Sequence, residues 1–190
     1  MIRHKAIWAC VAAVGVGCIL DISRPSSNIV NFQELTHPEN REAYAVAGFD
    51  LLSGFTFQVP EVSCDDPRGL EILQSNEIPE AVRSLDNQKV VIQGYMFPLK
   101  SSERRVKEFL ILRDHSWCCY GEIPEINEWI IVKSETGFKP VLDVPINFYG
   151  KLRIGEKFDE NRFLVGIYQM DCDAIGPPYF NNSDDNRPVH

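Results

Sequence analysis

Five short β-strand patterns in the second half of the chain restrict its fold more than any other feature. They are rich in β-branched and aromatic residues, follow one another at short intervals, and span residues 89–97, 106–112, 128–132, 147–154 and 162–170. Gly94, Gly150 and Gly166 each lie inside one of them, where a small barrel needs sharp bends. Because no helix alternates with these strands, we expect a mainly β fold. It is best described as a small OB-like β-barrel, and a β-sandwich is the alternative.

The preceding segment adds one strand and one helix to this prediction. Residues 51–59 alternate as a strand does and stop at Pro60, residues 64–69 have the composition of a loop, and residues 78–85 have the composition of a short helix. Residues 21–47 are polar and contain turn residues, so we interpret them as a linker. The domain is therefore predicted to span residues 48–176, and the polar residues 177–190 form a disordered tail.

The first twenty residues have the composition of an export signal. Arg3, His4 and Lys5 precede an apolar run over residues 6–20, which is short for a membrane span and suits a signal peptide or membrane anchor. Gly15-Val16-Gly17-Cys18 resembles a bacterial lipobox in which Gly15 replaces the usual leucine, and this makes Cys18 the candidate for lipidation. Uncleaved anchoring is the alternative. Both predict an exported, periplasmic or cell-envelope protein that is attached to the membrane through its N-terminus.

Composition argues against two classes of function. The formal net charge of -8 and the pI near 5.0 do not suit a nucleic-acid binder, which needs a basic surface for phosphate contacts. The chain also lacks a Gly-rich phosphate loop, a Gly-x-Ser-x-Gly turn and a His-Glu-x-x-His helix. We therefore expect neither nucleic-acid binding nor catalysis, and we assign no catalytic or cofactor-binding residue.

The segment from Arg113 to Asn127 is the candidate functional loop. It joins two predicted strands and contains His115, the adjacent Cys118 and Cys119, and several acidic residues. Loops on a rigid sheet are the usual location of binding sites. The cysteines permit three interpretations, which the sequence leaves open.

The first interpretation is structural disulfides. If Cys18 is lipidated, the folded part keeps an even set of four cysteines, which is typical of disulfides outside the cytoplasm: Cys64, Cys118, Cys119 and Cys172. Four cysteines allow three connectivities. Neighbouring strand residues point to opposite faces, so Cys118 and Cys119 would serve different partners, and Cys64 and Cys172 could each attach a terminal segment to their loop.

The other two interpretations need free thiols. His115, Cys118 and Cys119, completed by Glu122 or Asp114, combine thiolate with imidazole and could hold a zinc or copper ion. Thiol redox chemistry is the third interpretation, although adjacent cysteines lack the Cys-x-x-Cys arrangement that redox enzymes use.

Three motifs carry a resemblance to a known family. Residues 94–99 (Gly-Tyr-Met-Phe-Pro-Leu), residues 108–114 and Cys118-Cys119-Tyr120-Gly121 before Pro124 resemble the exported bacterial proteins of domain-of-unknown-function family 3299. The resemblance extends from Val90 to Cys172 and implies an exported, barrel-like protein without indicating a reaction.

A second branch of that family has a Cys-x-His followed by prolines and an asparagine. The resemblance aligns Cys118 with the cysteine and Asn127 with the asparagine, but Tyr120 replaces the histidine, which argues against carrying over a metal site. It also implies an accessory role beside a membrane transporter or another envelope protein. We therefore predict a membrane-tethered binding or accessory module that acts through residues 118–127. The alternative is a copper- or zinc-binding protein.

Overall fold

The structure is a computed structural model, and it describes residues 35, 37–99, 104–115, 121 and 123–178. The predicted export signal with Cys18, the cysteines Cys118 and Cys119, Glu122 and most of the predicted tail lie outside the described residues. Within the described part, no helix combines the length and the apolar character needed to span a membrane.

Three short α-helices precede the main sheet. They are α1 (Phe49–Leu52), α2 (Pro67–Gln74) and α3 (Glu80–Arg83), and a 3-10 helix at Arg41–Ala43 precedes all three. The start of α2 follows from local chemistry, because the Asp66 side chain accepts a hydrogen bond from the backbone N–H of Arg68, and proline is favoured at the first helical position.

The sheet has six strands, and all of them except the first close into a ring. The strands are β1 (Ala45–Val46), β2 (Lys89–Pro98), β3 (Val106–Leu112), β4 (Trp129–Phe138), β5 (Pro145–Phe158) and β6 (Leu164–Gly176). Neighbours follow the order β1-β2-β3-β4-β6-β5, and β5 pairs again with β2. All ring pairs are antiparallel except β4 with β6, which is parallel. The predicted mainly β, barrel-like fold is therefore confirmed.

The core fills the inside of this ring. Its largest fully buried side chains come from every ring strand and from α1, and they include Leu52, Ile92, Phe109, Ile111, Ile130, Ile146, Phe148, Leu152, Tyr168 and Met170. Tyr168 joins α1 to the ring, since its hydroxyl donates a 2.8 Å hydrogen bond to the Leu52 carbonyl. Burial raises the pKa of this hydroxyl, which therefore stays protonated and can donate.

The segment ahead of α1 packs on the outside of the ring. Strand β1 runs parallel to β2 at Val90 and Val91. The hydroxyl of Tyr149, a fully buried residue of β5, makes a 2.5 Å hydrogen bond with Nδ1 of His37. Tyr44 packs edge-on against the Tyr149 ring. Residues 37–46, part of the predicted linker, thus cover the outer face of β5.

Two local predictions are wrong. Residues 51–52 belong to α1, and the rest of the predicted strand 51–59 has no hydrogen-bonded partner strand in the described structure. The predicted loop 64–69 contains the start of α2, so the part before β2 has more helix than the single one expected. At residues 51–52 the burial of Leu52 overrides the strand propensity, whereas the start of α2 follows from the local Asp66-Pro67 sequence.

Candidate functional site

A groove opens between two segments that are far apart in sequence. It has a volume of about 460 Å³, and its walls are residues 53–57, just after α1, and the residues Glu125, Asn127 and Glu128, just before β4. The second wall is the final part of the connection between β3 and β4. The groove therefore borders the loop that the sequence singles out as the functional face.

The two walls are joined by Asn127. Its side-chain amide donates a 2.6 Å hydrogen bond to the Phe55 carbonyl, and the residue is only 3% exposed. A buried amide needs such partners, because an unpaired polar group in the interior is costly. The asparagine that the family resemblance aligns at this position thus fixes the shape of the groove.

Charged side chains define one rim of the groove. Glu128 accepts a 2.6 Å hydrogen bond from the Arg113 guanidinium through Oε1 and one from the Glu125 backbone N–H through Oε2. Arg113 comes directly after β3 and Glu128 directly before β4, so this ion pair closes the base of the loop. The Glu125 carboxylate is exposed and has no ion-pair partner among the described residues.

The opposite wall is formed by residues 55–58, which begin at a bend at Phe55 and belong to no helix or strand. Its side chains alternate between the interior and solvent, and Phe57 is 5% exposed whereas Thr56 and Gln58 are exposed. Asn76, just after α2, holds it in place: its side-chain amide pairs with both the N–H and the carbonyl of Gln58, at 2.6 and 2.9 Å. An asparagine amide thereby takes the place of a neighbouring strand at this residue.

The predicted metal ligands are only partly described. The His115 ring lies 3.9 Å from the Tyr95 ring, centroid to centroid, at the start of the loop. Across the described part of the chain, no group of three histidine, cysteine, aspartate or glutamate side chains could hold a metal ion. Because Cys118, Cys119 and Glu122 lie outside that part, the zinc or copper site stays a prediction.

The two described cysteines are buried free thiols. Cys64 is 8% and Cys172 5% exposed, and neither forms a disulfide in the structure. Burial raises the pKa of both thiols, to about 12 for Cys172. The Cys64 N–H bonds to Arg162 before β6, and the strand rises roughly 25 Å from Leu164 to Cys172, so the two cannot be bonded to each other. Pairing with Cys118 or Cys119 stays a prediction.

Sequence reasoning missed most of the groove. Ser53, Phe55 and Thr56 belong to no recognised motif, and Asn76 is one of several polar residues between two helices. Glu125 lies at the end of the predicted loop and Glu128 at the start of the predicted strand 128–132, and neither is among the predicted ligands. Their only signal was position, because they flank the asparagine that the resemblance aligns.

Comparison with known proteins agrees with this architecture. A sequence model of a family described as a protein of unknown function, DUF3299, matches residues 58–177, which is more than half of the chain. The crystal structure of a DUF3299 family protein from Pseudomonas aeruginosa PAO1 is similar in fold, with a TM-score of 0.50 and 22% sequence identity. The match covers 74% of this chain and 99% of the other. None of the curated proteins matches significantly. The predicted resemblance is therefore confirmed, and the chain belongs to the DUF3299 family.

Proposed function

We propose that this chain is an exported, membrane-tethered binding module without catalytic activity, and that it contacts its ligand through the groove between residues 53–57 and 125–128. The observation that carries the proposal is the groove itself. Binding sites are concave and combine apolar surface with a few directed polar groups, and this groove provides aromatic side chains, carboxylates and backbone groups in one place.

The tether follows from the N-terminal sequence. The basic start, the apolar run over residues 6–20 and the lipobox-like Cys18 favour export with retention at the membrane. Residues 37–46 then pack on the outer face of the ring at Tyr149, so the anchor would precede a segment that is held against the domain. The partner would be a membrane transporter or another envelope protein.

Site-specific photo-cross-linking tests the binding face. A photoreactive phenylalanine analogue placed at Thr56, which is exposed and lines the groove, should give a discrete adduct with an envelope protein in living cells. The matched control is the same analogue at Lys151, an exposed residue of β5 away from the groove. Identical adducts from both positions, or none from Thr56, would contradict the proposal.

Cell fractionation tests the tether separately. The chain should stay with the membrane fraction, and Cys18→Ser should release it to the periplasm if a lipid holds it. Retention of Cys18→Ser with the apolar run still present would identify the uncleaved segment as the anchor. Recovery of the wild-type chain in the cytoplasm would refute export.

A further inference from the structure

Beside the groove, the backbone of Phe57 and Val59 has no hydrogen-bond partner among the described residues. In a strand, the N–H and carbonyl of one residue point to one side and those of the next residue to the other. The backbone N–H and carbonyl of Gln58 face Asn76, and the Asn76 side-chain amide bonds to both of them. The Phe55 carbonyl points the opposite way and accepts the hydrogen bond from the Asn127 amide in the groove. Phe57 and Val59 flank Gln58, so in an extended backbone their N–H and carbonyl groups point away from Asn76, and Phe57 lines the groove.

Among the residues that the structure describes, neither the N–H nor the carbonyl of Phe57 or of Val59 makes a hydrogen bond. An open edge of this kind is a template for another strand. The sequence pattern of residues 51–59 is that of a strand, and at Gln58 the N–H and the carbonyl are both turned to one side, as they are in a strand.

Charge restricts what can bind there. The rim carries Glu125, Glu128 and Arg113, and the last two are paired, which leaves one negative charge at Glu125. The chain as a whole has a net charge of -8, so a cationic ligand is favoured over an anionic one at long range as well.

Resting on the proposed function of this groove, we propose that its ligand is an extended peptide segment of a partner protein. The segment adds as a strand to the Phe57–Val59 edge and places a lysine or arginine side chain against Glu125. Main-chain hydrogen bonds supply affinity and the charged contact supplies specificity, as in other cases of strand addition. The volume of about 460 Å³ suits a few peptide residues rather than a folded surface.

Peptide selection followed by backbone modification tests this inference. Random heptapeptides displayed on phage are selected on the purified full-length chain, and the consensus peptide is measured by calorimetry. We expect a basic residue at one shared position and no proline at pairing positions. Single N-methylation along the peptide should weaken binding at least tenfold at alternate residues and leave the intervening ones nearly unchanged, because only alternate residues face the edge.

A charge reversal provides the protein-side test. Glu125→Lys should weaken the consensus peptide about five- to tenfold, whereas Glu160→Lys, the same charge change in the exposed β5–β6 turn, should not. Equal thermal stability of the two variants shows that both remain folded. A consensus without a basic residue, equal effects of both reversals, or N-methylation effects without the two-residue period would overturn the inference.

The outcome separates this inference from the proposed function. If Thr56 cross-links to a cellular partner but the two-residue period is absent, groove binding stands and strand addition is wrong. If there is neither a cross-link nor a selected peptide, both are wrong.

Discussion

Removing the side-chain amide of Asn127 is the most direct test of how the groove is built. The amide bonds to the Phe55 carbonyl at 2.6 Å from a site that is 3% exposed. A hydrogen bond of this kind contributes about 1 kcal/mol, and a carbonyl left without a donor adds a penalty of about 1 kcal/mol where the open groove lets water approach. We therefore expect Asn127→Ala to reduce the free energy of unfolding by about 2 kcal/mol.

Thermal unfolding followed by circular dichroism measures this loss. For a domain of this size the expected drop in Tm is roughly 6 °C. Asn127→Asp separates hydrogen bonding from packing, because an ionised carboxylate keeps the volume but cannot donate to Phe55. It should be at least as destabilising as alanine at pH 7. Asn161→Ala is the control, since Asn161 is exposed in the β5–β6 turn and its change should cost less than about 0.5 kcal/mol.

Amide hydrogen exchange supplies a second measurement on the same variant. In Asn127→Ala, the Gln58 N–H, which donates a hydrogen bond to the Asn76 side chain in the same wall, should exchange faster because that wall is no longer held at Phe55. If Asn127→Ala and Asn161→Ala have the same Tm, or if Asn127→Asp matches the wild type, the amide does not hold the walls together and this account of the groove is wrong.

Three further predictions follow from other parts of the molecule. A Cβ at Gly150 would lie 2.3 Å from the Asp171 carbonyl oxygen, so Gly150→Ala should separate β5 from β6. The free energy of unfolding, measured by urea titration, should fall by about 3 kcal/mol. A urea midpoint equal to that of the wild type would refute this. Burial, and then the charge of Arg41, lower the pKa of His37 in the folded chain. The unfolded state therefore binds the proton more readily, and Tm should fall between pH 7 and pH 5.5. His37→Gln should flatten this dependence of Tm on pH, and an equal slope in the variant and the wild type would contradict the prediction. Iodoacetamide at pH 8 should modify Cys172 and Cys64 only after unfolding, as intact mass would show; protection that persists in denaturant without reductant would indicate disulfides instead.

These measurements also decide between the interpretations of the cysteine-rich loop. The metal and redox interpretations need free thiols at Cys118 and Cys119, whereas the structural interpretation pairs them with Cys64 or Cys172. Intact mass after export, with and without alkylation, distinguishes the two, and a stoichiometric metal adduct lost in Cys118→Ser would establish the metal site.

The ring strands were predictable from sequence because their signal is local. A run such as residues 89–97 contains β-branched and aromatic side chains that suit a strand in almost any neighbourhood, and β2 spans Lys89–Pro98. The special position of Gly150 was also predictable from sequence, and this glycine lies where β5 shifts register against β6. The family motifs at residues 94–99 and 108–114 fall on β2 and β3, which explains why the resemblance could be read from short segments.

Local patterns were insufficient where two elements compete for the same residues. Residues 51–59 alternate like a strand, yet Leu52 is fully buried at the end of α1, where its carbonyl accepts the Tyr168 hydroxyl. Conversely, Asp66 and Pro67 were a recognisable helix start that the loop prediction overlooked.

By itself, the sequence determined the class of fold and the positions of the main strands, because burial patterns repeat every two residues along one segment. Its short motifs indicated the family. Only the tertiary structure decided which strands become neighbours, since the parallel pairing of β4 with β6 depends on contacts between residues almost forty positions apart. The groove belongs to the same category: Phe55 and Asn127 meet across 72 positions of sequence, and a periodic pattern records that a side chain is buried but not what covers it.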